Sequence, residues 1–350
     1  MITRSLASIK RIDAIEPIYT DIINMVEAER ICQAKIGGWR FIVKKGEFEV
    51  GDFAVFFEID SILPETEWSE FLRDKKFRIK TLKFNKMLVA TADGSFAPAI
   101  SQGLALPTSI LPEGTETEED ADVTEILGVT KYEAPEEFVA GDIAGRFPPF
   151  IPKTDELRVQ SYPSLIAELS GKPYYITMKL DGSSMTAWWD EELQVASRNF
   201  IKKNEEGDTF WQVARSESLE EKLAKYPKIA IQGELVGDGV QKNRLGEPKR
   251  RMYVFNVFDI ETQRYYNYEE MIEFCSKAGL ETVPVIESGD SFAYSMENLD
   301  AMVQKMVYPL SKHPAEGIVI RSAQNTYSQT IQGRLSFKYI NPVFLLKIGE

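Results

Sequence analysis

The strongest candidate for chemistry is a lysine that closes an apolar run and is followed closely by an acid and a glycine. Lys179 ends the run Tyr174–Met178, where loss of hydration lowers a lysine pKa and favours the nucleophilic amine. Asp181 shares the strand face of Lys179 if the extended backbone continues, and there it could hold a hydrated metal ion. Gly182 permits a tight turn close to a nucleotide. A surface hairpin would show the same residues, so this run alone does not establish a function.

Other common catalytic and nucleotide-binding patterns are missing from the sequence. Neither a Walker A loop nor a Rossmann fingerprint occurs, so ATP chemistry must use another scaffold. His313 is the only histidine, which excludes a His-rich zinc site and leaves one candidate base for a Ser/His or Cys/His pair. Cys32 and Cys275 offer no disulfide framework, and we expect both to be reduced core thiols.

The charge of the chain is strongly negative but uneven. A net charge of −13 and a pI near 4.9 count against a simple nucleic-acid binder, which is usually basic. Between Glu113 and Glu137, however, ten acids stand against Lys131 alone. We expect this to be a solvated acidic segment, which weakens the objection to nucleic-acid binding without removing it.

Short motifs accompany Lys179 in a fixed order along the chain. This order resembles that of the covalent nucleotidyltransferase superfamily of ATP-dependent ligases and capping enzymes. Upstream, Ile151–Gln160 is similar to the segment before motif I in one RNA ligase clade. The resemblance covers residues 150–342 and rests on Lys179–Gly182 (motif I), Ser197–Asn199, Gly233–Gly237 (motif III), Phe255–Ile260 (motif IIIa), Glu316–Ile320 (motif IV) and Ser336–Lys338 (motif V).

The position of the additional domain selects one branch of that superfamily. DNA ligases and capping enzymes place an OB barrel after motif V, whereas only twelve residues follow Lys338. Gly51–Pro64 and Ser101–Leu104 instead resemble nick-sealing RNA ligases that bear an N-terminal OB module. The resemblance therefore implies an ATP-dependent RNA ligase. Such an enzyme joins RNA 3′-OH and 5′-phosphate ends, here at nicks in a duplex, through lysyl-AMP and RNA-adenylate intermediates.

The same resemblance implies roles for individual residues. Lys179 attacks the α-phosphorus of ATP, and Lys338 binds the α-phosphate. Charge develops on phosphate oxygens in every step, so cations must be placed in advance. The catalytic set that the family implies is Lys179, Glu234, Glu316 and Lys338, and the metal-binding set for Mg²⁺ or Mn²⁺, reached through water, is Asp181, Glu234 and Glu316.

Further residues are implied to hold the nucleotide. Lys153 and Arg158 suit the β- and γ-phosphates, since an arginine can bind two oxygens at once. Arg198 suits the ribose or the incoming 5′-phosphate. Phe258, or Phe255 on the opposite strand face, could stack on adenine. Alone, the charged residues could equally be solvated and the aromatic residues could belong to the core.

Motif V departs from the family pattern. Many relatives have two lysines there, at positions i and i+2. The first position is Ser336 here, with Arg334 two residues earlier. Either Arg334 reaches the phosphates, or one phosphate contact is absent.

The elements that must position these residues indicate an α+β fold in two domains. Residues 1–140 predict short strands and an OB-like β-barrel with an acidic segment, and residues 141–350 predict an adenylyltransferase domain of antiparallel sheets with flanking helices. The proline-rich run Phe147–Pro152 connects the two.

Two basic runs are candidates for RNA contact. Arg73–Lys86 interleaves cations with apolar residues, as a phosphate-tracking barrel strand requires, although a lysine-guarded edge strand would look the same. The predicted RNA-binding residues are Lys75, Lys76, Lys80, Lys242 and Arg244; the last two lie in a run that could be an ordinary charged loop.

Two rival functions stay open at this point. One is an ATP-dependent DNA ligase, and the other is a catalytically silent RNA-binding protein that has kept the fold. The sequence has no signal-like N-terminal run and no long uncharged apolar stretch. We therefore expect a monomeric protein of the cytoplasm whose partners are ATP, Mg²⁺ or Mn²⁺, and RNA, with no membrane contact.

Overall fold

The computed structural model describes residues 4–91, 94–132 and 143–349. These form two compact units. The N-terminal unit comprises the residues before the second gap, together with Gln160–Pro163 and the residues from Leu345 onward. The catalytic unit comprises the residues between that gap and Val159, together with Ser164–Phe344. The predicted boundary at 140/141 lies outside the described residues, as do Glu133, Glu136 and Glu137 of the acidic segment.

The N-terminal unit is built from short strands and two short 3₁₀ helices, Glu67–Lys75 and Thr108–Ile110. The strands within its described residues are β1 (Ala7–Arg11), β2 (Ala14–Glu16), β3 (Tyr19–Asp21), β4 (Val26–Glu27), β5 (Ile31–Ile36), β6 (Trp39–Lys44), β7 (Phe53–Glu58), β8 (Ser61–Ile62), β9 (Leu82–Ala90), β10 (Phe96–Ser101), β11 (Gly103–Pro107) and β12 (Thr130–Lys131).

These strands form small sheets around an aromatic core. The sheet orders are β1-β7-β11, β2-β5-β6, β10-β9-β3-β4 and β12-β8. Strand β6 shows why they fold this way: Trp39, Phe41 and Val43 are buried, while the residues between them are not. The ring of Phe56 on β7 lies 5.1 Å from that of Phe41 and 6.0 Å from that of Trp39.

The basic run of this unit differs from the predicted single strand. Arg73 and Lys75 end the 3₁₀ helix, Lys76 caps it in the left-handed conformation with φ 53°, and strand β9 begins only at Leu82. The helix forms because Thr66 and Ser69 make a capping box at its start. Lys75 and Lys76 are exposed, and Lys80 Nζ donates to the carbonyl of Gly349 at 2.7 Å.

The acidic segment is less solvated than expected where it is described. Val123, Leu127 and Val129 are buried, so their apolar side chains pack into the unit between the acids. Lys10 Nζ binds Asp120 at 2.5 Å, which adds an ion pair at the surface. The apolar residues between the acids therefore belong to the core of the unit, which the sequence analysis did not predict.

The catalytic unit contains most of the helices. Its strands are β13 (Ile143–Arg146), β14 (Leu157–Arg158), β15 (Tyr174–Lys179), β16 (Ser183–Asp190), β17 (Glu192–Ala196), β18 (Phe200–Lys202), β19 (Ile229–Val236), β20 (Arg251–Asp259), β21 (Arg264–Tyr265), β22 (Val285–Gly289), β23 (Gly317–Ser322), β24 (Tyr327–Ser328), β25 (Gly333–Arg334) and β26 (Ser336–Ile340). Its helices are α1 (Ser164–Leu169), α2 (Thr209–Ser216), α3 (Leu219–Leu223), α4 (Tyr268–Ala278) and α5 (Met296–Lys305), with a 3₁₀ turn at Gln241–Asn243. Helix α6 (Pro342–Ile348) begins in this unit, and its residues from Leu345 onward belong to the N-terminal unit.

One face of an antiparallel seven-stranded sheet carries the main core of this unit. Its order is β13-β18-β17-β16-β19-β20-β21, and helices α2, α3 and α4 contribute Trp211, Leu219, Leu223 and Phe274 to the cluster on that face. Helix α4 begins at a capping box between Asn267 and Glu270. Cys275 on α4 is a buried free thiol, as is Cys32 in the other unit.

A five-stranded sheet of order β14-β26-β23-β15-β22 forms the second layer, antiparallel except for the β14–β26 pair. Directly paired residues project from the same face of a sheet. The register therefore gathers seven side chains on one face, which are Tyr175, Thr177, Lys179, Val319, Arg321, Ser336 and Lys338. Among the described residues, no helix is both long and apolar enough to cross a membrane.

Candidate active site

Strand pairing brings Lys179 and Glu316 together across the five-stranded sheet. Lys179, the last residue of β15, pairs with Gly317, and Nζ of Lys179 lies 2.7 Å from Oε2 of Glu316. Gly317 has φ +151°, and a side chain there would meet the carbonyl of Tyr339 at 2.1 Å. The glycine after the acid is therefore required for the close strand approach that sets this contact.

Glu234 and Asp181 complete an acidic cluster around the amine. Ser184 on β16 pairs with Glu234 on β19, and the backbone N–H of Gly182 donates to the Glu234 carboxylate. Burial, with added repulsion from the neighbouring acids, raises the pKa of Glu234 to about 8 against the opposing effect of Lys179. Burial and Glu316 likewise raise the pKa of Asp181 to about 6.

The protonation of Lys179 differs from what its apolar strand predicts. Burial alone lowers the pKa of Lys179, as expected, but the charges of Glu316, Glu234 and Asp181 outweigh it and the pKa is raised. The amine of Lys179 is therefore protonated, as an ammonium. It must lose a proton before it can attack phosphorus, and added positive charge near the carboxylates would favour that loss.

Tyr308, which the sequence analysis did not identify, links the backbone at Lys179 to the backbone at Glu316. Its hydroxyl donates to the carbonyl of Lys179 at 3.0 Å and accepts from the backbone N–H of Glu316 at 3.0 Å. Burial, with added repulsion from Glu316, raises the pKa of Tyr308, so the hydroxyl keeps its proton. No motif marks this tyrosine, because its contacts are made to backbone groups.

Arg244, predicted to bind RNA, is engaged inside the cluster. Its Nη1 lies 2.5 Å from Oδ2 of Asp181, and both side chains are largely shielded from solvent. Lys242, two residues earlier, is exposed in the 3₁₀ turn, with φ 60°. These two neighbours therefore differ: Lys242 is exposed and its RNA contact stays a prediction, whereas Arg244 is paired with Asp181.

Hard oxygen donors at this site suit a divalent metal reached through water. All three acids, Asp181, Glu234 and Glu316, raise the pKa of Lys179, and Glu316 also raises the pKa of the other two acids. Among the described residues, however, no group of three or more His, Cys, Asp or Glu side chains converges for direct metal ligation. The donor chemistry fits Mg²⁺ or Mn²⁺, and the spacing favours contacts through the ion's own waters.

The segment of residues 153–156, which lies before motif I and is called the strap below, contacts several residues of this unit through its side chains. Its contacts are Lys153 Nζ to Asn199 Oδ1 at 2.9 Å, Thr154 Oγ1 to Ser184 Oγ at 2.9 Å, Asp155 to Arg198 at 2.6 Å, and Glu156 Oε1 to Arg321 Nη2 at 3.1 Å. The strap continues into β14, where Arg158 pairs in register with Lys338 on β26. Lys153, Arg158, Arg198 and Lys338 are thus connected through this segment, and the nucleotide contacts assigned to them stay predictions.

The aromatic residue that the sequence favours for stacking on adenine lies in the core instead. Phe258 is 2% exposed and packs with Ile151, Trp188 and Ala230. The register of β19 and β20 shifts between Gln232 and Gly233, which leaves Phe255 as an unpaired bulge. Phe258 pairs with Ala230, so it projects from the same face of the sheet as Glu234 but is covered by apolar residues. The ring of Phe255 lies 5.9 Å from the guanidinium of Arg321, on the face that holds Thr177 and Lys179. We therefore propose that Phe255, rather than Phe258, stacks on adenine.

Alanine substitutions should separate these two phenylalanines. Phe258→Ala should lower the free energy of unfolding by about 3–5 kcal/mol, because it empties a buried aromatic site. Phe255→Ala should raise the KM for ATP in self-adenylylation about tenfold with a smaller stability loss, since stacking on one base is worth about 1–3 kcal/mol. Chemical denaturation and KM measurements on both variants test this. The reverse pattern would return the stacking role to Phe258.

Comparisons with known proteins place this chain in a family. A family model described as RNA ligase matches residues 172–340, and an OB-fold domain model matches residues 6–108. No curated protein matches the chain.

Among solved structures, the RNA ligase of Naegleria gruberi with PPi is 31% identical, covers 99% of each chain and superposes with a TM-score of 0.83. A lysine-to-alanine mutant of that ligase with ATP and Mn is 31% identical, covers 98% of each chain and gives 0.80. A lysine-to-methionine mutant with AMP and Mn is 31% identical, covers 98% of this chain and 99% of that one, and gives 0.81. These matches confirm the predicted α+β fold with an N-terminal OB-fold domain followed by a ligase domain.

Proposed function

This chain belongs to the RNA ligase family, and from that premise we propose that it seals nicks in duplex RNA by carrying adenylate on Lys179. It is an ATP-dependent RNA ligase that uses ATP and a divalent metal ion to join RNA ends. The N-terminal module, which resembles that of nick-sealing ligases, supports the choice of a nick as the substrate. We also propose that the enzyme acts as a monomer.

One observation carries the assignment of the nucleophile. The amine of Lys179 is fixed 2.7 Å from Glu316, with Glu234 and Asp181 close by, on the sheet face that also presents Lys338. A structural ion pair needs one carboxylate, whereas three neighbouring acids repel one another at a cost in stability. Such clusters are typical of sites that hold a cation and move a proton.

The proposed reaction uses this geometry in successive displacements. Nζ of Lys179, once deprotonated, attacks the α-phosphorus of ATP, forms a P–N bond and releases pyrophosphate. An oxygen of the RNA 5′-phosphate then attacks the same phosphorus and breaks the P–N bond, so that Lys179 takes back a proton. Finally the RNA 3′-OH attacks the 5′-phosphorus, releases AMP and leaves a phosphodiester.

The surrounding side chains would bind and orient the charged groups in these steps. Lys338 is proposed for the α-phosphate, and Lys153 and Arg158 for the β- and γ-phosphates. Arg198, held by Asp155 at 2.6 Å, is proposed for the ribose or the incoming 5′-phosphate. Divalent metal held through water by Asp181, Glu234 and Glu316 supplies charge stabilisation for the phosphate oxygens.

Defined nicks test the proposed substrate. The enzyme is offered four duplexes that carry a 5′-phosphate and either a ribose or a deoxyribose 3′-OH, on an RNA or a DNA complement. Sealing should be fastest with a ribose 3′ end. Equal sealing of an all-DNA nick would overturn the RNA assignment in favour of a DNA ligase. A wild-type protein that never acquires label from α-labelled ATP would show a catalytically silent member of the family.

Three lysines of the N-terminal unit, of which Lys75 and Lys76 are exposed and Lys80 is half-buried, should contribute to nick binding. Neutralising Lys75, Lys76 and Lys80 should weaken affinity at low salt and flatten its salt dependence, by about one unit of slope for each RNA phosphate that these lysines neutralise. Fluorescence anisotropy on a nicked RNA duplex from low to moderate salt measures both quantities.

A matched control exists in the same unit. Lys10, Lys35 and Lys45 are already paired with Asp120, Glu16 and Glu27, so their replacement should change the slope less. Unchanged low-salt affinity in the variant lacking Lys75, Lys76 and Lys80 would remove these residues from the RNA-binding proposal.

A further inference from the structure

Arg334 is a half-buried cation with only neutral partners among the described residues. Its Nη1 donates to Oδ1 of Asn256 at 2.8 Å, its Nη2 donates to the hydroxyl of Tyr175 at 2.9 Å, and its guanidinium lies 4.9 Å from the ring centre of Tyr265. Its Nε is buried without a hydrogen-bond partner. By contrast, Arg321 and Arg244 each face a carboxylate. A guanidinium that is removed from water loses hydration energy, and an anionic partner would compensate for that loss.

The cleft around Arg334 holds charges of both signs, because Lys153, Asp155 and Glu156 line it as well. The two carboxylates already have guanidinium partners, Arg198 for Asp155 and Arg321 for Glu156. An anionic ligand would give the guanidinium of Arg334 the charged partner that it lacks among the described residues.

The chain bends between Arg334 and Ser336 but keeps both side chains at one cleft. Leu335 lies at the bend and is fully buried, and its carbonyl accepts from the N–H of Ser322 at 3.0 Å. Arg334 and Ser336 line one cleft together with Lys153, Asn256 and Tyr265.

Ser336 leaves room in that cleft for the longer side chain. Its hydroxyl is buried and has no hydrogen-bond partner. A lysine at this position, as in many relatives, would extend a cation into the same space. Arg334, two residues earlier at the same cleft, offers a planar guanidinium with several N–H donors, which suits phosphate oxygens.

We propose that Arg334 binds the β- or γ-phosphate of ATP, and hence the leaving pyrophosphate, in place of the cation missing at Ser336. This proposal rests on the ligase function proposed above. The polyphosphate is favoured over the α-phosphate because Arg334 contacts Tyr175, at the far end of strand β15 from Lys179. Lys153, already proposed for the outer phosphates, lines the same cleft.

Pyrophosphate itself provides a direct probe of this contact. Ligase-AMP is prepared at saturating ATP, freed of nucleotide, and discharged with increasing pyrophosphate, which re-forms ATP and frees Lys179. Arg334→Ala should raise the half-saturating pyrophosphate concentration about tenfold, the loss expected for one charge-assisted phosphate contact. Sealing of a pre-adenylated nick, which involves no pyrophosphate, should keep its wild-type rate.

A second-site lysine and a surface arginine make the test specific. Adding Ser336→Lys to Arg334→Ala should restore pyrophosphate use toward wild type, which a purely structural role of Arg334 would not produce. Arg264→Ala, at an exposed arginine paired with Glu270 at 2.7 Å, should leave both assays unchanged. If Arg334→Ala does not fold, Arg334→Gln removes the charge and keeps an amide donor, with the same expectations.

The results that would contradict this proposal differ from the result that would contradict the ligase function. Wild-type dependence on pyrophosphate in the Arg334 variants would overturn the proposal, and so would an equal loss in sealing of the pre-adenylated nick, which would indicate a contact to RNA or to the α-phosphate. Failure of the ligase function itself would show earlier, as a wild-type protein that forms no ligase-AMP.

Discussion

Replacing Lys179 with alanine abolishes the transfer of label from α-labelled ATP to the protein. The effect should be complete within detection, because the substitution removes the atom that forms the P–N bond rather than a group that assists it. The assay incubates protein with labelled ATP and Mg²⁺ or Mn²⁺, denatures it and measures the label that stays on the protein. Lys179→Arg should also fail, since a guanidinium keeps its proton at working pH.

Two controls separate loss of the nucleophile from loss of the fold. Lys277→Ala, which removes an exposed lysine of α4 paired only with Glu273 among the described residues, should label at the wild-type rate. The Lys179→Ala protein should still seal a pre-adenylated nick, because that step needs the phosphate-binding residues but no lysyl-AMP. Normal labelling of Lys179→Ala would show that another residue is the nucleophile.

Glu316→Gln and Glu234→Gln should each slow self-adenylylation by about 100- to 1000-fold, the usual cost of removing one preorganised charged group from an active site. Loss of either carboxylate also makes Lys179 easier to deprotonate, which would speed attack. The loss of orientation should prevail at Glu316, since its oxygen fixes the amine at 2.7 Å. At Glu234, the loss of a charge that helps to hold the metal should prevail.

Single-turnover labelling at several Mn²⁺ concentrations measures both effects. Rates of the two variants should rise at high Mn²⁺ as mass action offsets the weaker site, whereas Lys179→Ala should not respond. Glu287→Gln is the matched control: Glu287 lies on β22, next to β15, but accepts hydrogen bonds from Tyr174 and Tyr294 instead of from Lys179. Wild-type labelling by Glu316→Gln would remove that acid from the proposed mechanism.

The regular elements of the catalytic unit followed from local pattern. Helices Tyr268–Ala278 and Met296–Lys305 can be predicted from the sequence, because their caps and apolar spacing are local signals. The strand predicted at Tyr174–Met178 extends one residue further and includes Lys179. Helix Thr209–Ser216 was not predicted, although Asp208 caps it through a hydrogen bond to the N–H of Trp211.

The proximity of Lys179, Glu234 and Glu316 could be predicted only from the motif order. These residues are distant in sequence, and each lies at or near the end of a different strand, so only the sheet register brings them together. Family resemblance carried that information, since no single-residue pattern does. The roles assigned to these residues remain predictions until the variants above are measured.

What the sequence could not predict depends on geometry with no local signature. The bulge at Phe255 depends on a register shift between two long strands, and nothing in Phe255–Ile260 marks it. The pairing of Arg244 with Asp181 depends on how the loop after β19 returns. The positive net effect on the pKa of Lys179 depends on three acids whose distances only a fold defines.

The hydroxyl of Tyr308 has a mechanical consequence for this enzyme. One rigid phenol connects the end of the strand that bears the nucleophile to the start of the strand that bears its acid. Nucleophile and acid therefore share a single strut, so a displacement of the segment around Tyr308 would shift both together and preserve their spacing. These two hydrogen bonds therefore hold the backbone on both sides of the contact between Lys179 and Glu316.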